Sequence, residues 1–137
     1  YKGAALVVNA GTTMTVDALS ADGAFLGGVI VPGLTLMRES LSRGTAQLHE
    51  RPGAYDAFPR NTGDAIMSGA LNACGGAVAR MREHLRAHEG MNEAPLVVLS
   101  GGAAPALAPQ LNGRVEVVDN LVLQGLLEIA RDQAPRA

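Results

Sequence analysis

The stretch Asn9-Ala10-Gly11-Thr12-Thr13-Met14-Thr15-Val16-Asp17 constrains this chain more than any other. It lies between the apolar run Leu6-Val7-Val8 and the continuation Val16, Ala18, Leu19. Two short strands joined at Gly11 predict a tight hairpin. Gly11 can take φ > 0 and lets the backbone come close to a ligand. Thr12 and Thr13 offer hydroxyls and backbone N–H groups at the tip, with no bulky side chain, and such a surface suits a phosphate tail. An ordinary hairpin in a sheet reads the same way.

The rest of the chain extends this start in a regular order. Residues 4–9, 13–19 and 25–31 read as three strands of a meander, the third (Phe25-Leu26-Gly27-Gly28-Val29-Ile30-Val31) ending in the Pro32-Gly33 turn. Residues 33–41 read as a helix, with Leu34, Met37 and Leu41 at helical spacing. Residues 44–60 are polar and irregular. A second helix begins at Asn61-Thr62, both good capping residues, and ends by Gly90, with Ile66, Ala70, Ala73, Ala77 and Met81 expected inward. Its Gly69, Gly75 and Gly76 predict close packing. Residues 96–100 form a buried strand that runs into Ser100-Gly101-Gly102. A helix over 103–111, a strand over 115–118 and a helix over 120–133 follow. The order is βββ-α-α-β-α-β-α, with no internal repeat and no linker that splits the chain.

Composition narrows the function classes. With 137 residues the chain suffices for one modest domain, residues 1–137. Aromatics are only 3%, so the core must come from Ala, Val, Leu and Ile. The net charge of −2 and scattered basic residues give no dense Lys/Arg stripe for nucleic acid. The one cysteine, Cys74, excludes an internal disulfide and fits a reducing compartment, hence the cytoplasm. No apolar run reaches the ~20 residues of a membrane span. No signal peptide is visible, although a start at Tyr1 leaves an amino-terminal targeting segment open. His49, His84 and His88 have no metal-ligand spacing with Cys74, and His84 and His88 read as surface residues.

Four segments in register, Asn9 to Asp17, Leu26 to Gly33, Asn61 to Ile66, and Ser100 to Gly102, resemble the carboxyl-terminal half of type III pantothenate kinases. That family includes the Bvg accessory factor proteins. It belongs to the superfamily of acetate and sugar kinases, Hsp70 and actin. The family patterns read D-x-G-T-A-x-T-x-D, L-G-G-x-I-x-P-G, N-T-x-x-A-I and S-G-G, and the resemblance covers nearly the whole chain. It implies a ribonuclease-H-like (actin-like ATPase) domain with one mixed sheet. It also implies ATP-dependent phosphorylation of pantothenate, the first step towards coenzyme A, in a homodimer. The alternatives are a non-catalytic Bvg-accessory-type regulator and half of another sugar- or acetate-type kinase.

The resemblance also implies roles for particular residues. Gly11, Thr12 and Thr13 would meet the phosphates of ATP with Mg²⁺, and Ser100, Gly101 and Gly102 the adenosine. Thr62 would contact pantothenate across the dimer interface, with Gly27 and Gly28 near that pocket. Asn9 departs from the family pattern, because many members carry an aspartate there that helps bind a monovalent cation. An amide offers oxygen without charge, which puts potassium or ammonium dependence in doubt. Bland readings remain for each: Thr12 as a turn residue bonded to its own backbone, Thr62 as a plain helix cap, Gly27 and Gly28 as a bulge. No catalytic residue is expected here. The family's base, an aspartate in a Gly-x-Asp-Arg segment, and its first phosphate loop are absent from this sequence.

Overall fold

A computed structural model describes residues 2–44 and 52–133. It is a mixed α/β structure with one five-stranded sheet in the order β3-β2-β1-β4-β5. The strands are β1 (Ala5–Ala10), β2 (Thr13–Leu19), β3 (Phe25–Pro32), β4 (Leu96–Ser100) and β5 (Val115–Val117). The helices are α1 (Leu34–Gly44), α2 (Thr62–His88), α3 (Ala104–Leu107) and α4 (Leu121–Gln133). β1, β2 and β3 form the expected antiparallel meander. β4 pairs parallel with β1, and β5 parallel with β4. Parallel neighbours need a crossover, and α1 with α2 supply the first while α3 supplies the second.

Side chains alternate across a strand, so β1 and β2 send one set to each face. Leu6, Val8, Ala10, Met14, Val16 and Ala18 are buried in the main core, with Val97 and Leu99 of β4. Helix α2, 27 residues long, covers that face with Ala70, Leu71, Cys74, Val78 and Leu85. Ala5, Leu96 and Val98 form a smaller cluster on the opposite face, with Val118 and Leu121 packed on it. β4 is buried on both faces, which explains its unbroken apolar run.

Several expectations shift. The inward stripe of α2 is rotated from the expected one: Ala73 is exposed, while Leu71, Cys74 and Val78 take the core positions. No isoleucine is among the buried core residues, and Ile30 is 74% exposed on the edge strand. Phe25 and Phe58 are exposed as well, so Ala, Val, Leu and Met14 make the core. The helix expected over 103–111 is a four-residue α3 followed by a 3-10 turn at Ala108–Gln110. Pro109 lacks the N–H that would continue the helical ladder. Of the irregular stretch expected at 44–60, Gly44 instead closes α1, residues 52–60 have no regular structure, and residues 45–51 lie outside the described residues. His49 lies outside them too, and His84 and His88 are exposed as expected.

The end of α2 is fixed by polar contacts. Gly90 takes φ +62 after the last turn, and Met91 donates its N–H to the Arg86 carbonyl at 3.0 Å, closing the helix in a left-handed cap. Arg82 is the one charged side chain among the buried residues described, at 8% exposure. It donates to the carbonyls of Pro95 (2.6 Å), Asn112 and Arg114 (2.8 Å), tying α2 to the residues that lead into β4 and β5. Desolvation pulls its guanidinium below the usual arginine range.

The three strand ends meet through glycine. A Cβ at Gly33 would overlap the Gly11 carbonyl oxygen and lie 2.6 Å from that of Thr12. Gly101, at φ +101, would place a Cβ 2.5 Å from the Ala10 carbonyl oxygen. Gly33→Ala must therefore move backbone. We expect it to cost at least the upper part of the ~1–3 kcal/mol typical of overpacking. Gly76→Ala, which meets nothing within 4 Å on α2, should hold or raise stability. Urea denaturation of the two variants reads the difference, and equal midpoints would contradict the packing described.

Candidate functional site

The expected phosphate turn is a three-residue connection, because Ala10 pairs with Met14. Its bond runs from the Gly11 N–H to the Thr13 carbonyl at 3.1 Å. Gly11 does not use its freedom to adopt positive φ. A Cβ there would make only ordinary contact, 3.5 Å from the Thr13 oxygen. What needs glycine is the surround. Gly33 donates its N–H to the Thr12 carbonyl at 2.8 Å, and Ala103 donates to the Ala10 carbonyl at 3.0 Å. The turn is thus gripped from β3 on one side and from the β4–α3 junction on the other.

Beside it opens a recess of about 540 Å³. Gly11, Thr12 and Gly102 line it, so motifs ninety residues apart share one wall. Thr12 and Gly102 are exposed. Thr13, also exposed, pairs with Pro32 at the start of β2, and buried Ser100 pairs with Asn9; neither lines the recess. Gly101 serves as the crossing point rather than as lining. The recess lies at the carboxyl ends of the parallel strands β1 and β4, the end of an α/β sheet where ligands commonly bind.

Sequence reasoning missed the other wall. The amino-terminal part of α1 contributes Thr35, Arg38 and Glu39. Glu39 is bound by Arg43 at 2.7 Å. The signal was the Pro-Gly turn, which starts α1 directly beside the Thr12 carbonyl. Arg82 was missed too; a lone arginine within the inward register of α2 was its only mark.

The residues expected to hold pantothenate do not gather at this recess within one chain. Gly27 and Gly28 line a separate groove with Leu26, Met81, His84 and His88. Gly27 sits at a register shift in β3, with Ala18 opposite it and Leu19 opposite Phe25, so the bulge reading of this segment is correct locally. Thr62 lines a third cavity with Leu41, Arg60 and Ile66, where α2 begins. Asn61 rather than Thr62 caps that helix: its Oδ1 accepts from the Asp64 N–H at 2.9 Å.

Asn9 and Thr15 are paired across β1 and β2, and Asn9 and Ser100 across β1 and β4. Directly paired residues share a face, so Asn9, Thr15 and Ser100 form a row of neutral oxygens on the face away from α2. Asp17 lies two residues along β2, paired with Val7, and its carboxyl oxygen leans over Gly28. Among the described residues, no three His, Cys, Asp or Glu side chains converge as a metal cage.

The start of α2 is tied to the preceding loop by one carboxylate. Asp64 accepts from the Ala54 N–H at 2.9 Å and from Asn61 Nδ2 at 2.6 Å. These bonds, that from Ala54 first, hold its pKa below the usual aspartate value. A lowered native pKa gives stability that is present above the unfolded pKa and lost as pH falls through the native one. Wild type should therefore exceed Asp64→Asn in denaturant midpoint at neutral pH. The gap should close once the pH drops below the native value. A gap that persists unchanged into strong acid would contradict the assignment.

The fold and the recess define a mixed α/β unit whose separated motifs converge on a backbone-lined hollow at one end of the sheet. Residues 1–84 match the family model for type III pantothenate kinase. The chain is 52% identical over 132 residues to the type III pantothenate kinase of Nitrosospira multiformis, covering 96% of this chain and 50% of that protein. It is 52% identical to that of Thiobacillus denitrificans, covering 92% and 51%. It also resembles a solved structure from Campylobacter jejuni described as a Baf family transcriptional activator, with TM-score 0.69 and 24% identity, covering 96% of this chain and 58% of that one. At that identity the likeness shows the fold alone. The chain belongs to the type III pantothenate kinase family. It spans about half the length of the curated relatives it matches.

Proposed function

We propose that this chain is the carboxyl-terminal domain of an enzyme that phosphorylates pantothenate with ATP, the opening step of coenzyme A synthesis. The observation that carries this is the recess where Gly11, Thr12 and Gly102 share a wall. It brings the segment resembling a phosphate turn against the one resembling an adenosine motif. The strand order β3-β2-β1-β4-β5, with three antiparallel strands and two parallel additions, fits the ribonuclease-H-like fold of the actin-like ATPase superfamily.

In the proposed reaction the primary hydroxyl oxygen of pantothenate forms a bond to the γ-phosphorus of ATP. The bond from that phosphorus to the β,γ-bridging oxygen breaks, and ADP leaves with the electron pair. The hydroxyl proton passes to a base outside this chain. Such transfers need mainly positioning and charge neutralisation. Thr12 donates its hydroxyl to the phosphates, beside the backbone of the 11–13 turn. Bare Gly102 gives the nucleoside a flat backbone surface. Magnesium on the nucleotide supplies further charge neutralisation. A monovalent cation, if used, would rest on the neutral oxygens of Asn9, Thr15 and Ser100, a weaker shell than one with a carboxylate. The buried, free Cys74 fits a reducing cytoplasm.

Thr12→Val in the intact protein keeps shape and strand preference while removing the hydroxyl. A hydroxyl bonded to a charged phosphate is worth roughly 1.5–3 kcal/mol, so kcat/KM for ATP should fall about ten- to a hundredfold. A coupled assay for ADP release, run with and without pantothenate and titrated with potassium, reads the reaction, the variant and the cation together. Turnover independent of pantothenate would reject the substrate. Unchanged kinetics would return Thr12 to a plain turn role.

Gly69, Ala73 and Gly76 form an exposed small-residue line on α2, and Thr62 is exposed at the same helix's start. These support a homodimer through this helix, in which Thr62 of one protomer reaches pantothenate bound by its partner. Light scattering at micromolar concentration should give twice the protomer mass, with Ala73→Arg shifting it towards the monomer. A wild-type monomer would reject the dimer.

A further inference from the structure

The carboxyl-terminal third of α2 and the edge strand β3 enclose a groove of about 390 Å³ that shares no lining residue with the recess. His84 and His88 both line it, four residues apart on one helix. Residues so spaced stand one above the other on a helix face, which sets the two imidazoles side by side. Both are exposed. Their acidic neighbours are held elsewhere. Arg86 donates to Glu83 at 2.8 and 2.9 Å, and Glu89 accepts the Ala21 N–H at 3.1 Å. The other Glu89 oxygen, Oε1, stands 4.0 Å from His88 Nε2, too far for a hydrogen bond. Gly27 and Gly28 on the β3 side present no side chain, which leaves room over the pair. The cap at Gly90 holds the last turn of the helix, and so fixes the spacing of the two rings.

We propose that His84 and His88 form a chelating site for a divalent late transition-metal ion, with copper(II) bound most tightly. Neutral imidazole is a common ligand for such ions, and affinity along the first-row series peaks at copper. Two nitrogens carried by one rigid helix bind without the ordering cost of gathering distant ligands. The Glu89 carboxylate beside His88 adds negative charge that favours a cation. Among the described residues no third His, Cys, Asp or Glu joins the pair, so water completes the coordination shell and the site stays open to solvent. Magnesium, which takes oxygen ligands, does not compete for it. The site stands independently of the nucleotide reading of the recess.

The test titrates the intact protein with copper(II) chloride at neutral pH in a non-coordinating buffer containing excess magnesium. Wild type is compared with H84Q, H88Q and, as a control, H49Q. Glutamine is a good helix former and both α2 positions are exposed, so the variants should keep the fold. Calorimetry should show a wild-type site that H84Q and H88Q each weaken by at least about tenfold, since losing even an outer-shell partner of a bound metal costs about that much. H49Q should stay within about twofold of wild type. Copper should raise the wild-type Tm, because an ion that binds only the folded helix stabilises it, and should raise it less in H84Q and H88Q. Electron paramagnetic resonance of the copper complex should show two imidazole nitrogens in wild type and one in each α2 variant. The wild-type spectrum carries the test by itself should a variant fail to fold. Fewer than two imidazole nitrogens in that spectrum would overturn the proposal. So would a smaller loss than about tenfold in either α2 variant, or an equal loss in H49Q, since the ion would then sit elsewhere.

Discussion

The structure around the recess depends on backbone touching backbone at the end of β1. Gly33 and Gly101 press on the Gly11–Thr12 turn and on Ala10 from two sides, at distances that no side chain could share. Two hydrogen bonds fix that contact, one into the Thr12 carbonyl and one into the Ala10 carbonyl. Both bonds use carbonyls of the segment 10–12, whose residues Gly11 and exposed Thr12 line the hollow. A loop held this way needs no reorganisation to present dipoles to an anion, which is where electrostatic recognition gains most.

Everything outside this contact keeps its parts in register. β1 and β2 alternate so that Leu6, Val8, Met14 and Val16 go to α2 while Asn9 and Thr15 go to the other face. Helix α2 acts as a brace. Its start is pinned by Asn61 and Asp64, its end by the Gly90 cap, and its final third by Arg82 reaching three carbonyls near β4 and β5. A buried guanidinium without those acceptors would be costly, so Arg82 makes the packing of α2 on the β4–β5 region specific as well as stable. The small residues of α2 serve two ends: Ala70 and Cys74 bring the helix close to the sheet, while Gly69, Ala73 and Gly76 leave an unobstructed outer line.

Different chain segments bring different groups to the recess. The turn and the β4–α3 junction contribute neutral backbone groups, and α1 contributes Thr35 and Glu39. The cavities at Thr62 and at Gly27–Gly28 lie apart from this centre. The chain spans about half the length of the curated relatives it matches.

What the sequence determined by itself was local. Strand alternation, helical spacing, the Asn61 start of α2 and the Gly90 stop were legible, because each is written in residues close together along the chain. The four segments that resemble the family were legible for the same reason. The tertiary structure alone decided which of those segments touch. Gly11 looked like the special glycine, yet it takes no positive φ, and the special positions are Gly33 and Gly101, whose need for hydrogen arises from a neighbour twenty or ninety residues away. The rotation of α2 that exposes Ala73 and buries Val78 and Arg82 was likewise hidden. In a helix rich in alanine and glycine, apolar periodicity is too flat to mark a face, and only contact with the sheet selects one. The α1 wall of the recess was hidden for the same reason, since only the fold brings Thr35 and Glu39 alongside Thr12 and Gly102.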